Sequence, residues 1–214
     1  MDKDPRSKLL GDLVHSMKNI LGGIGGFVSL IDRDFAEDDP QKKLSRRVQD
    51  HVIKLNDMLI DIMYLVRDYQ PDQEEIAVHP FLQSIVDSEL PEDQPVSVLS
   101  TCAKPPRTKS DQQLLRKCFE HAVRLISLVS THVESVEIAP HNNNSFTILF
   151  KTSYEGQNDL IKELKEKSWQ QIDSIDFRLS MAILQKLTDL LNIMMQIEFG
   201  NPDSFILHLD LNLV

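Results

Sequence analysis

Over the first seventy residues the apolar positions recur every seven. Leu10, Leu13, Met17, Ile20, Ile24, Phe27 and Ile31 are separated alternately by three and four residues, the a and d spacing of a helical seam. Val14, Leu21 and Val28 follow at the e position and widen the stripe. A second series, Val48, Val52, Leu55, Leu59, Ile62, Val66 and Tyr69, alternates four and three. Between the two lies Asp34-Phe-Ala-Glu-Asp-Asp-Pro40, an acidic connector whose proline is excluded from a helix interior but suits a helix start. The pattern predicts an antiparallel helical hairpin over residues 1–72. Two helices do not cover stripes this wide, so the hairpin is expected to pair with a second copy as a dimeric four-helix bundle. An intramolecular bundle would need more helices of this type, and the rest of the chain does not supply them.

From residue 73 to 214 the period changes. Pro80–Glu89 reads as a short amphipathic helix and Pro95–Thr101 as a strand. Asp111–Val129 is helical, with Leu114, Leu115, Cys118, Phe119, Ala122 and Ile126 on one side. Val133–Ala139 alternates as a strand, and Asn142-Asn-Asn144 turns the chain into a second strand, Phe146–Lys151. A helix over Phe177–Asn192 is followed by strands near Met195–Phe199 and Phe205–Leu211, joined at Gly200-Asn-Pro202. Helices interleaved with antiparallel strands predict an α+β layer, a sheet covered by helices on one face.

Composition narrows the functional classes. Hydrophobic residues at 41% and charged residues at 26% are the balance of a soluble globular protein. The net charge of −10, without a basic stripe, argues against nucleic acid as a partner. No run approaches the ~18 apolar residues that cross a bilayer, and the first twenty are too charged for a signal peptide, so no membrane association is expected. Cys102 and Cys118 lack metal-ligand or redox-motif spacing and read as reduced thiols of a cytoplasmic protein.

One residue stands outside the packing pattern. With Leu10 at a, His15 falls at f, opposite the seam and in solvent, where its imidazole is free to act as a nucleophile. Along the same side lie Lys18, Asn19, Gly22, Gly25, Gly26 and Ser29. Four of the seven glycines fall within residues 22–26. They read either as a helix break or as a smooth strip on a continuous helix; Ile20, Ile24 and Phe27 keep register through them, which favours the strip. Such a strip admits a second helix closely and makes a candidate docking pad beneath His15. None of the other six histidines forms a metal pair at i, i+4 spacing.

The stretch His15-Ser-Met-Lys-Asn-Ile-Leu-Gly-Gly-Ile-Gly-Gly-Phe27 resembles the phosphoacceptor helix of sensor histidine kinases, in which Asn or Thr follows the histidine at the fourth position. The resemblance implies His15 as phosphoacceptor and Asn19 as the polar residue that orients a water or the phosphoryl group. It departs at Ser16, where the family usually carries an acidic residue that assists attack on ATP. Over the remaining 140 or so residues the order of elements resembles the kinases' ATP-binding α/β sandwich, while the nucleotide motifs differ. Lys117-Cys-Phe-Glu-His121-Ala122 stands where N-L-L-x-N-A holds Mg²⁺, with His121 in place of the metal-binding Asn. Thr152-Ser-Tyr-Glu-Gly156 replaces Asp-x-Gly-x-Gly, and Asp176-Phe-Arg-Leu-Ser-Met-Ala182 replaces G-L-G-L-S-I-A. Asp176 and Arg178 thus sit where glycines would bare backbone N–H groups to a phosphate.

The expected protein is a degenerate member resembling the dimeric histidine phosphotransferases. Residues 1–72 would form the dimerisation and phosphotransfer hairpin, and residues 73–214 an ATP-binding-like domain without nucleotide use. It would carry a phosphoryl group on His15 between response-regulator receiver domains, with no cofactor of its own and Mg²⁺ supplied by the receiver. The alternatives are a pseudokinase adaptor or phosphatase acting on a phosphorylated receiver, and a working autokinase.

Overall fold

The computed structural model describes residues 5–130, 132–142, 144–154, 159–200 and 204–213, with side chains from residue 10 onward. The chain divides into two compact units, Met1–Tyr69 and Gln70–Val214.

In the first unit, α1 (Pro5–Arg33) and α2 (Pro40–Val66) form an antiparallel hairpin. The connector acts as its composition predicts: Pro40 occupies the first turn of α2, and the Asp39 carboxylate caps it by accepting from the Gln41 N–H at 2.8 Å. Glu37 is gripped by Lys42 at 2.8 Å and Arg46 at 2.6 Å. Those hydrogen bonds, Lys42 first, hold its carboxyl below the usual carboxylate range.

The face of α1 that packs on α2 differs from the predicted seam. Val14 is 3% exposed, and Gly11, Lys18, Leu21, Gly25, Val28 and Asp32 are partly covered. These are the b and e positions, so the residues assigned to widen the stripe are the ones that join the hairpin. The Ser45 hydroxyl of α2 donates to the Val28 carbonyl at 3.4 Å across this contact. The a and d residues remain open in the single chain, from 38% exposed at Leu10 to 72% at Phe27. Two stripes about 100° apart do not both face one antiparallel neighbour, and the smaller e-position valines and Leu21 with Gly25 permit the closer approach.

The second unit is a two-layer α/β sandwich. Its elements are β1 (Glu74–Ala77), α3 (Val78–Glu89), β2 (Val98–Ser100), β3 (Arg107–Ser110), α4 (Gln112–Val129), β4 (Val133–Asn142) and β5 (Ser145–Ser153). Then follow α5 (Asp159–Glu166), a 3₁₀ turn (Trp169–Gln171), α6 (Ile175–Leu191), β6 (Met194–Gly200) and β7 (Ser204–Asn212). The main sheet runs β2-β4-β5-β7-β6, antiparallel except for the parallel β2–β4 pair, and β1 pairs with β3 separately.

Alternation in the strands places the core. Phe146, Ile148 and Phe150 of β5 and Phe205, Leu207 and Leu209 of β7 are fully buried, while Leu149 of β5 and Ile206 and His208 of β7 between them keep some exposure. Each such side chain contributes roughly 1.5–3 kcal/mol on burial. Helix α4 packs against α3, α6 and β5, which is why its buried surface adds His121, Val123 and Leu125 to the predicted stripe. The short β1–β3 pair, α5 and the 3₁₀ turn were not legible as elements; each is too short for periodicity to declare it. Of the predicted turns, Asn143 and residues 201–202 lie outside the described residues. Among the described residues, no helix is long and apolar enough to cross a membrane.

Candidate functional site

Helix α1 runs unbroken from Pro5 to Arg33, so the four clustered glycines are helical and the helix-break reading is excluded. Two of its sides are occupied by apolar stripes, b/e against α2 and a/d open. The remaining c, f and g positions carry Asp12, His15, Ser16, Asn19, Gly22, Gly23 and Gly26, all exposed. His15 has no hydrogen bond or ion pair among the described residues. Its imidazole is therefore held by no structural role, and its ring nitrogens are open to solvent chemistry. Asn19, one turn on, is equally free, and its amide offers both a donor and an acceptor beside the ring.

The predicted pad is narrower than its six residues. Gly22, Gly23 and Gly26 face open space, with nothing within 4 Å of where a side chain would start. Gly25 instead turns toward α2, where a Cβ would lie 3.4 Å from Val52 Cγ1. Lys18, also at b, is partly covered, whereas Ser29 stays exposed at f and accepts a hydrogen bond from Gln49 Nε2 of α2 at 3.2 Å. These corrections follow from the b/e packing, which rotates one edge of the strip into the hairpin. They also reveal Ile53, one turn beyond Gln49 on the same side of α2 and 60% exposed. It lies outside the predicted 4-3 series, and that break in register was the sequence signal for it.

In the second unit, the positions matching nucleotide motifs adopt ordinary packed structure. His121 has no accessible surface, and neighbouring Cys118 is so enclosed that burial pushes its thiol up to about 12. Ser174 caps α6 by accepting from the Phe177 N–H at 3.3 Å, so Asp176 and Arg178 belong to the first turn of a helix. Tyr154, after β5, is buried with its hydroxyl 3.2 Å from Lys165 Nζ, and Glu155 and Gly156 lie outside the described residues. No group of three or more His, Cys, Asp or Glu side chains among the described residues is placed to hold a metal ion.

Taken together, the hairpin followed by the sandwich defines a histidine-kinase-like fold. No family model and no curated protein matches the sequence. Among solved structures the chain is similar to full-length ShkA in complex with AMPPNP, with a TM-score of 0.74 at 12% identity over 97% of this chain and 46% of that one. It is similar to the histidine kinase ThkA in complex with the response regulator protein TrrA, with a TM-score of 0.62 at 13% identity over 97% of this chain and 61% of that one. The Acinetobacter baumannii histidine kinase AdeS gives a TM-score of 0.51 at 12% identity over 91% and 94%. The chain thus spans 46% and 61% of the length of the first two proteins. At these identities the likeness is one of fold.

Proposed function

We propose that this protein is a dimeric histidine phosphotransferase that carries a phosphoryl group on His15 between response-regulator receiver domains. The observation that carries the reading is the state of His15: exposed, without a hydrogen bond or ion pair among the described residues, and in the first half of a helix whose apolar stripes lie elsewhere. In the transfer step, the Nε2 lone pair forms the N–P bond while the acyl O–P bond of the receiver's aspartyl phosphate breaks. The departing electron pair stays on the aspartate carboxylate, and the reverse step loads the next receiver. The receiver brings Mg²⁺, and this chain supplies the nucleophile and its positioning.

Three further features support the reading. ThkA, a fold neighbour, was crystallised with a response regulator protein, which favours receivers as partners here. The open a/d stripe suits a second copy that completes a four-helix bundle. Ser16 beside His15, with a capped helix where a glycine phosphate loop would lie, favours phosphoryl exchange over attack on ATP. The exposed amide of Asn19 favours one second reading, in which the same surface directs water at a receiver's phosphate.

Incubation with a ³²P-labelled receiver separates these readings. Acid-labile label on the chain, lost in His15→Ala while the unfolding midpoint stays within about 1 °C, is the expected result. Release of free phosphate without chain labelling, abolished in Asn19→Ala, would establish the phosphatase. Labelling by ATP alone would overturn the proposal.

A further inference from the structure

The inference rests on the dimeric reading and concerns a histidine in the face through which the hairpin would meet a second copy. On α2, Ser45 and Leu59 are buried and Val52 stands 3.4 Å from where a Cβ of Gly25 would lie, so these positions meet α1. The Gln49–Ser29 hydrogen bond marks the edge of that contact on the His15 side, since Ser29 and His15 share position f. The other edge of α2 carries Leu44, Val48, His51, Leu55, Met58 and Ile62, which step by 4, 3, 4, 3 and 4. Leu44 is 63% and Leu55 48% exposed, and Val48, Met58 and Ile62 are only partly covered. This stripe lies on the same side of the hairpin as the a/d stripe of α1.

His51 is the one polar member of the two stripes. It is exposed in the single chain and has no hydrogen bond or ion pair among the described residues. With Gly25 opposite Val52, His51 comes level with Gly26, and α1 carries no ionisable side chain from Asn19 to Ile31. On α2 the charged neighbours within one turn are Arg47, Asp50 and Lys54, two cations against one carboxylate. A proton on His51 would therefore place a charge against apolar side chains and beside an excess of positive charge.

Two adjacent heptad stripes, one from each helix, fit a partner that offers the same pair. A second copy related by a two-fold sets its α2 stripe on this α1 and its α1 stripe on this α2. We propose that this contact encloses His51 in both copies and makes self-association a pH-sensitive switch, the seam admitting the neutral imidazole and expelling the imidazolium. An imidazole in water takes up a proton near pH 6.5, and enclosure among apolar groups disfavours the charged form. The dimer therefore holds above about pH 6.5 and weakens as pH falls below it, each His51 contributing up to about tenfold per pH unit. The partner's α1 carries the same uncharged stretch, so it brings no carboxylate to offset the proton.

Sedimentation equilibrium of the full chain at pH 7.5 and at pH 5.5 tests this, with His51→Leu and His51→Gln as variants that keep the position uncharged. The expected result is a native dimer whose dissociation constant rises roughly tenfold or more at the lower pH, while both variants change by less than about threefold. Emission from Trp169, in the second unit, should be the same at both pH values, which separates dissociation from general unfolding. A native dissociation constant that is equal at the two pH values overturns the proposal. So does a loss of dimer at pH 5.5 that persists in both variants, which assigns the titration to other groups. A native chain that is monomeric at pH 7.5 overturns the dimeric reading, and this inference with it.

Discussion

His15 and His121 both lie on long helices, but heptad arithmetic and layer packing give them opposite fates. The f position of α1 faces neither α2 nor the a/d stripe, so His15 is exposed; α4 packs against α3, α6 and β5, so His121 is enclosed. The same enclosure acts on Cys118, whose thiol is raised to about 12 by burial. A pKa raised on folding means the contribution to stability is complete below the unfolded thiol's value, about 8.5, and is lost as pH rises from there toward 12. Titration with a disulfide reagent at pH 8 should therefore modify half-buried Cys102 in the native protein and leave Cys118 untouched until the second unit unfolds. Rapid modification of both thiols without unfolding would contradict the burial of α4.

At the scale of an element, α1 shows that glycines of one cluster do different things. Gly22 faces open space, and Gly25 faces Val52. Gly22→Ala should stabilise the hairpin by about 0.5–1 kcal/mol through helix propensity alone. Gly25→Leu should destabilise it by about 1–3 kcal/mol, because the branched side chain must displace Val52 or part the helices. Thermal unfolding of the two variants checks the assignment, and equal effects would mean that α1 is rotated from the packing described. The candidate site was legible to the same degree. His15, Asn19, Gly22 and Gly26 were placed correctly on the exposed side by counting sevens. Lys18 and Gly25 sit one step further inward than the count of sevens puts them, because counting finds an apolar stripe without saying which neighbour covers it. Ile53 was legible only as an apolar residue that breaks the 4-3 series, and scattered apolar residues of that kind are common on ordinary surfaces.

At the scale of the molecule, the two units have cores of different completeness. The second unit encloses a continuous set of aromatic and aliphatic side chains between one sheet face and its helices. The first buries Val14 and Leu59 and leaves Leu13, Met17, Ile20, Ile24 and Phe27 exposed. A contiguous apolar stripe of that length is a surface meant to be covered. If the chain dimerises through this stripe as proposed, Ile20→Glu should reduce the sedimenting mass from dimer to monomer and lower helicity, and a native chain that sediments as a monomer would contradict the dimeric reading. The substitution should leave unfolding followed by tryptophan fluorescence unchanged, since the single tryptophan, Trp169, belongs to the second unit. A dimeric Ile20→Glu chain would show that the stripe is not the dimer surface.

The sequence by itself determined the elements whose signal is periodic or punctuated: the hairpin, the helix start at Pro40, and the alternating strands β4, β5 and β7. It also determined that His15 lies off the seam, because a heptad fixes angular position around a helix. Tertiary structure alone decided which of two adjacent stripes on α1 meets α2, that the glycine cluster stays helical, and that Lys18 and Gly25 are partly covered. Those outcomes depend on how closely two particular helices approach. Closeness of approach is set by the side chains of both at once, and neither helix carries that information alone.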